Sequence, residues 1–316
     1  MQAIVCTRYG PPEVLQLAEV PTPTPRANQI RVKIHATTVT ASDTILRGFK
    51  MPRWSMMGIM MSLVMGIRKP RSPILGMILA GEVDAVGSAV KRFKVGDPVY
   101  GHAIKPPFQI RTGTYAEYMC LQEDSFLVPK PANLSYEEAA AIPYGAGLAL
   151  FFLKMGHIQP GQRVLVYGAS GAIGTAAVQL LKHHYGADVT GVCSARNAAL
   201  VESLGADRVI DYTRSDAADQ LGQYAVVFDA VGHAKTSALK EQSKQAITPG
   251  GHWLSVDEGS PTYDIPGLML LNTLIEAGQF RAVIDRTYPL AEMVAAHRYG
   301  DAGHKSGNVV IRVVSA

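Results

Sequence analysis

The chain has 316 residues, 47% hydrophobic and 18% charged, with a formal net charge of +4. At about 150 residues per domain the length predicts two globular domains, with apolar material for two cores. Scattered basic residues argue against a nucleic-acid surface, and the three cysteines, Cys6, Cys120 and Cys193, lie too far apart for a disulfide framework or a metal pair, which fits a reducing cytoplasm.

Met1 to Val5 reads as a strand and not as a signal segment. The run Pro21-Thr22-Pro23-Thr24-Pro25 can be neither helix nor central strand. Ile30 to Ile34 alternates in the manner of a half-buried strand. Trp54 to Ile67 is apolar and Met-rich, between Lys50 and Arg53 on one side and Arg68, Lys69 and Arg71 on the other. It falls short of the roughly 18 residues that span a bilayer, so no stable membrane insertion is expected. The segment reads either as a buried or lid helix, or as a Met surface that covers an apolar substrate or touches a membrane interface. Gly81 to Gly87, Phe93 and Gly96 to Tyr100 continue a pattern of short strands and tight turns, which predicts a small barrel-like β domain.

The texture changes near residue 130. Ser135 and Glu138 stand at capping-box spacing, so a helix starts there. From Arg163 the chain alternates apolar strands (164–167, 189–193, 208–210, 225–228, 253–256) with helices (172–184, 197–204), and Gly205 supplies a stop. That alternation predicts a parallel sheet covered on both faces. The last forty residues return to the β texture and end in the strand Val309-Val310-Ile311. The fold class is therefore α/β: a Rossmann doubly wound parallel sheet over residues 129–279, inserted into a β-rich domain built from residues 1–128 and 280–316.

Between the first of these strands and its helix stands Gly168-Ala169-Ser170-Gly171-Ala172-Ile173-Gly174. Glycines at this spacing give a tight turn, a close approach of backbone to pyrophosphate, and close helix–strand packing. The helix N-terminus offers N–H groups and a positive dipole end to the anion. At the end of the second strand an NAD enzyme places an acid on the ribose 2′-hydroxyl. Here the run is Cys193-Ser194-Ala195-Arg196-Asn197. Ser194 and Arg196 would bind a 2′-phosphate that a carboxylate would repel, so NADP(H) is the expected cofactor.

Gly76-Met77-Ile78-Leu79-Ala80-Gly81-Glu82-Val83, with Val86-Gly87, Phe93 and Gly96-Asp97-Pro98-Val99, resembles the medium-chain dehydrogenase/reductase signature. Gly113-Thr114-Tyr115-Ala116-Glu117-Tyr118, Ser203 to Asp207, Ile210-Asp211-Tyr212, Phe228-Asp229-Ala230-Val231-Gly232 and the ending Gly303 to Ile311 resemble the quinone oxidoreductase branch. The resemblance implies that the β-rich domain is a GroES-like partial barrel. It implies a substrate pocket near Thr40, Asp43, Tyr144 and the turn after Val256, with Thr40 or Tyr144 as donors to a developing enolate and Asp43 as a cap or site residue. It also implies that Tyr212 and Val231 border the cofactor, and that Lys305 and Asn308 lie near the nicotinamide. Where zinc members carry their ligands this chain has Thr40, Met77 and Ile78, and Lys105 to Arg111 occupies the place of the four-cysteine lobe. No metal is expected.

Without a metal, hydride delivery to an activated acceptor is the expected chemistry: an NADPH-dependent reductase of a quinone or α,β-unsaturated carbonyl. A zinc-free carbonyl or alcohol oxidoreductase stays open, as does a non-catalytic NADPH-binding sensor. Two departures from the family bear on this. Ile78 stands where the branch commonly has an acid, and the stretch from Ser255 to Leu274 is too short for a sixth Rossmann strand. Relatives often pair that strand across a dimer, so a monomer or an atypical dimer is expected.

Overall fold

The computed structural model describes residues 1–49, 56–103, 112–234, 237–259 and 261–313. These form two compact units, residues 1–143 with 284–316 and residues 144–283.

In the first unit β1 (Gln2–Cys6) pairs antiparallel with β2 (Leu15–Glu19). The proline run that follows has no regular structure. β3 (Gln29–Val39) extends well past the segment expected from alternation. Ile30, Val32 and Ile34 are fully buried while Arg31 and Lys33 are half-exposed, the burial that a period of two dictates. Two helices follow, α1 (Ala41–Gly48) and α2 (Met56–Met65). The Met-rich segment is thus helical from Met56 to Met65, and Gly66 and Ile67 lie beyond the helix. Gly58 and Met65 are buried and Ile59 and Leu63 exposed, whereas Lys50, Arg53 and Trp54 lie outside the described residues, as does the stretch Lys105 to Arg111. β4 (Ile78–Val86) pairs antiparallel with β3, β5 (Pro98–His102) with β4, β6 (Tyr118–Gln122) with β3, and β7 (Leu127–Pro129) with β5.

α3 (Tyr136–Ala140) opens on the expected capping box: Ser135 Oγ accepts from the Glu138 N–H, and the Glu138 carboxylate accepts from the Ser135 N–H. This short helix packs on β3 and β4, which is why the first unit runs on to residue 143 and not to 128. The apolar run then breaks, because Pro143 has no N–H to continue the ladder, and α4 (Pro143–Met155) starts afresh.

In the second unit β8 (Arg163–Tyr167), α5 (Ala172–His183), β9 (Asp188–Cys193), α6 (Ala198–Ser203), β10 (Arg208–Asp211), β11 (Tyr224–Asp229), α7 (Ala238–Gln245), β12 (Ile247–Ser255) and α8 (Ile265–Glu276) follow in turn. The five strands are parallel in the order β10-β9-β8-β11-β12. Val164, Leu165, Val166, Val189 and Val227 are fully buried, as helices on both faces require. α6 stops at Gly205, whose φ of 105° only glycine adopts readily. β12 starts at Ile247, six residues before the expected Trp253, and takes in Pro249-Gly250-Gly251. Beyond it the chain goes directly to α8; among the described residues there is no sixth strand.

The chain then returns to the first unit with β13 (Ile284–Pro289), α9 (Met293–Asp301) and β14 (Asn308–Arg312). β14 pairs antiparallel with β3 and parallel with β13, so both ends of the sequence share one seven-stranded sheet.

Candidate cofactor site

The sheet order of the second unit reverses at β8, with β9 and β10 on one side and β11 and β12 on the other. Ligands of open parallel sheets sit outside the carboxyl ends of the strands at such a reversal. Every site residue expected in this unit except Tyr144 follows one of those ends.

The glycines of the turn after β8 divide their tasks in a way that the backbone makes measurable. Gly168 has φ of 82°, and a Cβ there would stand 2.4 Å from Val231 Cγ1. At Gly174 a Cβ would lie 2.1 Å from the Gly168 carbonyl oxygen, so only glycine lets α5 approach the strand. Gly171 is different. Its backbone suits any residue (φ −78°, ψ 176°), and the nearest atom to an added Cβ is the Gly168 oxygen, 3.6 Å off. No protein atom demands glycine there, since a side chain would meet only an ordinary contact. Gly171 is also the N-cap of α5 and makes no side-chain cap bond, so the first-turn amides of Ala172, Ile173 and Gly174 meet no capping side chain.

Ala169 is fully buried, and its N–H, like that of Gly168, donates to the Val192 carbonyl at 3.0 Å, tying the turn to β9. Ser170 Oγ accepts from Asn197 Nδ2 at 3.1 Å, which joins it to the segment carrying Ser194 (half-buried) and Arg196 (exposed). Tyr212 follows β10, is exposed, and donates its N–H to the Cys193 carbonyl. The structure therefore gathers Gly168 to Gly174, Ser194, Arg196, Tyr212 and Val231 at one edge of the sheet. Tyr144 is on α4, where the next residue, Gly145, packs against the Ala172 carbonyl so closely that a Cβ would lie 2.3 Å from it.

A buried network went unread in the sequence. Asp229 ends β11 and is 1% exposed. Its Oδ2 lies 2.6 Å from Lys240 Nζ and accepts from Ser255 Oγ, while Oδ1 accepts from the Val231 and Gly232 N–H groups. Lys240 also donates to the Gly232 carbonyl at 2.7 Å. The pair fixes the turn that packs on Gly168. Its one signal was an acid at the end of an apolar strand, which needs a partner when buried.

In the first unit Thr40 and Asp43 form the capping box of α1. Thr40 Oγ1 donates to Asp43 Oδ2 at 2.6 Å and accepts from the Asp43 N–H, and Asp43 Oδ2 accepts from the Thr40 N–H. The hydroxyl's single proton is engaged and the carboxylate is wholly buried, contacts that account for both residues as a helix cap. Burial pushes the Asp43 carboxyl up to about 6 against the pull of Thr40 and the neighbouring Tyr115 hydroxyl. Val309 of β14 pairs with Val39 of β3, which sets buried Asn308 at the level of Thr40. Lys305 is half-buried and donates to the Gly307 carbonyl; desolvation lowers its amine to about 8, opposed by Asp285.

At the three positions where zinc ligands would stand, Thr40 is spent on the cap, Met77 packs with Leu46 and Met65, and Ile78 is fully buried in β4. A hydroxyl, a thioether in an apolar cluster and an alkyl group do not make a zinc site. Among the described residues no cluster of three or more His, Cys, Asp or Glu could hold a metal.

This fold and turn define a dinucleotide-binding protein of the Rossmann type with a second, β-rich domain. Family models agree: an alcohol dehydrogenase GroES-like domain matches residues 26–132 and a zinc-binding dehydrogenase domain residues 172–286. The NADPH-dependent alkenal/one oxidoreductase of Arabidopsis thaliana chloroplasts is 32% identical over 98% of this chain and 79% of its own length. A quinone oxidoreductase of Coxiella burnetii superposes with a TM-score of 0.81 at 28% identity, over 99% of each chain. That of Escherichia coli, solved with NADPH, gives 0.79 at 25%, over 99% of this chain and 100% of the other. The chain belongs to the medium-chain dehydrogenase/reductase superfamily, in its quinone oxidoreductase-like branch.

Proposed function

We propose that the chain is a zinc-independent, NADPH-dependent reductase of quinones or α,β-unsaturated carbonyls. The observation that carries this is the empty-sided glycine at 171, on the same sheet edge as a β9 terminus that offers Ser194 and Arg196 and no acid. The turn holds the diphosphate through backbone N–H groups and the dipole of α5; Ser194 and Arg196 hold the 2′-phosphate. When bound, the nicotinamide supplies the hydride. The protein supplies orientation and a hydrogen-bond donor for the oxygen that gains charge. With the Thr40 proton engaged and Asp43 buried, Tyr144 takes the donor role. Lys305 and Asn308 keep the place that the family resemblance gives them. An alkenal/one relative and quinone oxidoreductase neighbours support the acceptor class, and three free cysteines fit a reducing compartment.

The test is NADPH oxidation, followed at the nicotinamide absorbance band, against quinones, enones and simple aldehydes. Turnover confined to quinones or enones is expected. Turnover of aldehydes alone points to a carbonyl reductase, and saturable NADPH binding without turnover points to a sensor. Arg196→Ala is expected to weaken NADPH about tenfold or more, as loss of a charge-assisted contact does, and NADH little. Equal losses for both would remove Arg196 from the site.

A further inference from the structure

We propose that the α2 face of the first unit is a docking surface for anionic membrane. Among the described residues, the contacts of the helix lie toward the body of the unit. Gly58 and Met65 are buried, Ser62 Oγ donates to the Gly58 carbonyl, and Met65 packs with Leu46 and Met77. The Tyr9 hydroxyl bonds the Met65 and Gly66 carbonyls at 3.0 and 2.9 Å, fastening the C-terminal end. Two described side chains of the helix face water. Ile59 and Leu63, one turn apart, are 52% and 59% exposed, and Ile67 beyond the helix is 62% exposed. Exposed aliphatic side chains set this close mark a contact surface.

Its charge is one-signed. Arg68, Lys69 and Arg71 are exposed beside it, and no Asp or Glu occurs anywhere from Thr44 to Gly81. Aliphatic groups with cations at their border match a bilayer interface, where acyl chains and anionic headgroups lie at neighbouring depths. A second copy would set Arg68, Lys69 and Arg71 against their own kind. Nucleic acid would leave Ile59 and Leu63 without a partner. Among the described residues no helix can cross a membrane, so the attachment is peripheral. It does not depend on which acceptor the protein reduces.

The full chain is floated with vesicles of phosphatidylcholine alone and of phosphatidylcholine mixed with phosphatidylglycerol. It is expected to float with the anionic vesicles only and to come off in 1 M salt, where the screening length falls to about 3 Å. Arg68→Gln, Lys69→Gln and Arg71→Gln should each lower the partition about fivefold, and Ile59→Ser with Leu63→Ser should abolish it. Circular dichroism melts check that the variants fold, and NADPH turnover of a soluble acceptor should be unchanged in them. No flotation, flotation on neutral vesicles alike, or flotation untouched by the variants overturns the proposal. So does a dimer in light scattering that Ile59→Ser with Leu63→Ser dissolves. A raised KM for the soluble acceptor in those variants would make the face a substrate cover instead.

Discussion

Two glycines three residues apart in one turn respond oppositely to the same methyl group. Gly174→Ala would force a Cβ to 2.1 Å from the Gly168 oxygen. The helix must shift, a clash of the kind that costs about 1–3 kcal/mol, and thermal melts should show the loss without any ligand. Gly171→Ala meets only an ordinary contact and an allowed backbone, so its stability should stay within about 0.5 kcal/mol of the parent. NADPH affinity should nevertheless fall at least about tenfold, because the methyl occupies the phosphate's place. If Gly171→Ala binds NADPH normally by fluorescence titration, the cradle is misassigned. Asp43 makes a separate prediction. Burial raises its folded-state pKa to about 6, above its ordinary value near 4. Between those values the folded chain keeps a proton that the unfolded chain has lost, so this group's contribution falls as pH rises from about 4 to about 6. Asp43→Asn keeps an oxygen acceptor and cannot ionise. Variant and parent should melt together near pH 4, and the variant should lead above pH 6, by an amount on the order of 3 kcal/mol at most. A variant that falls behind above pH 6 would make the carboxylate net stabilising.

The turn that closes β11 shows what the sequence revealed and what it hid. Phe228-Asp229-Ala230-Val231-Gly232 was legible as a family motif, and the strand before it as an apolar run. The partner of Asp229 was not, since Lys240 stands eleven residues on, in the helix after the turn, and only the fold brings its amine to 2.6 Å. The same holds for Thr40 and Asp43. Their spacing is that of a capping box, but which oxygen accepts which proton is a matter of side-chain torsions. By contrast the five strands from Arg163 onward and the first two helices were readable, because a buried parallel strand is a short apolar run whatever its neighbours, whereas α7 and α8 were not expected. β12 began earlier than expected, since Pro249-Gly250-Gly251 read as a turn and the ladder accommodates it with a register shift. Removing one partner of the buried pair leaves the other charge unsatisfied. Lys240→Met should cost about 3–5 kcal/mol and also weaken NADPH, because the Val231 turn loosens. Adding Asp229→Asn should recover much of the stability. If the two single losses simply add in the double variant, the pair is not coupled.

At the level of assembly, the sheet of the second unit ends on β12, and that edge is ill-suited to pairing. Pro249 has no N–H to offer, Gly250 sits at φ of 79°, and the strand bends at a register shift against β11. Prolines, bulges and short irregular edges are how natural sheets discourage addition of further strands. Nine residues lie between the end of β12 and the start of α8, too few for another strand and its crossover in the same sheet. Two chains therefore have no regular edge at β12 through which to continue this sheet into each other, and light scattering is expected to give the mass of one chain, 33.9 kDa, at micromolar concentration. A dimer mass would contradict this expectation, and a dimer that pairs β12 with β12 would overturn the edge argument itself.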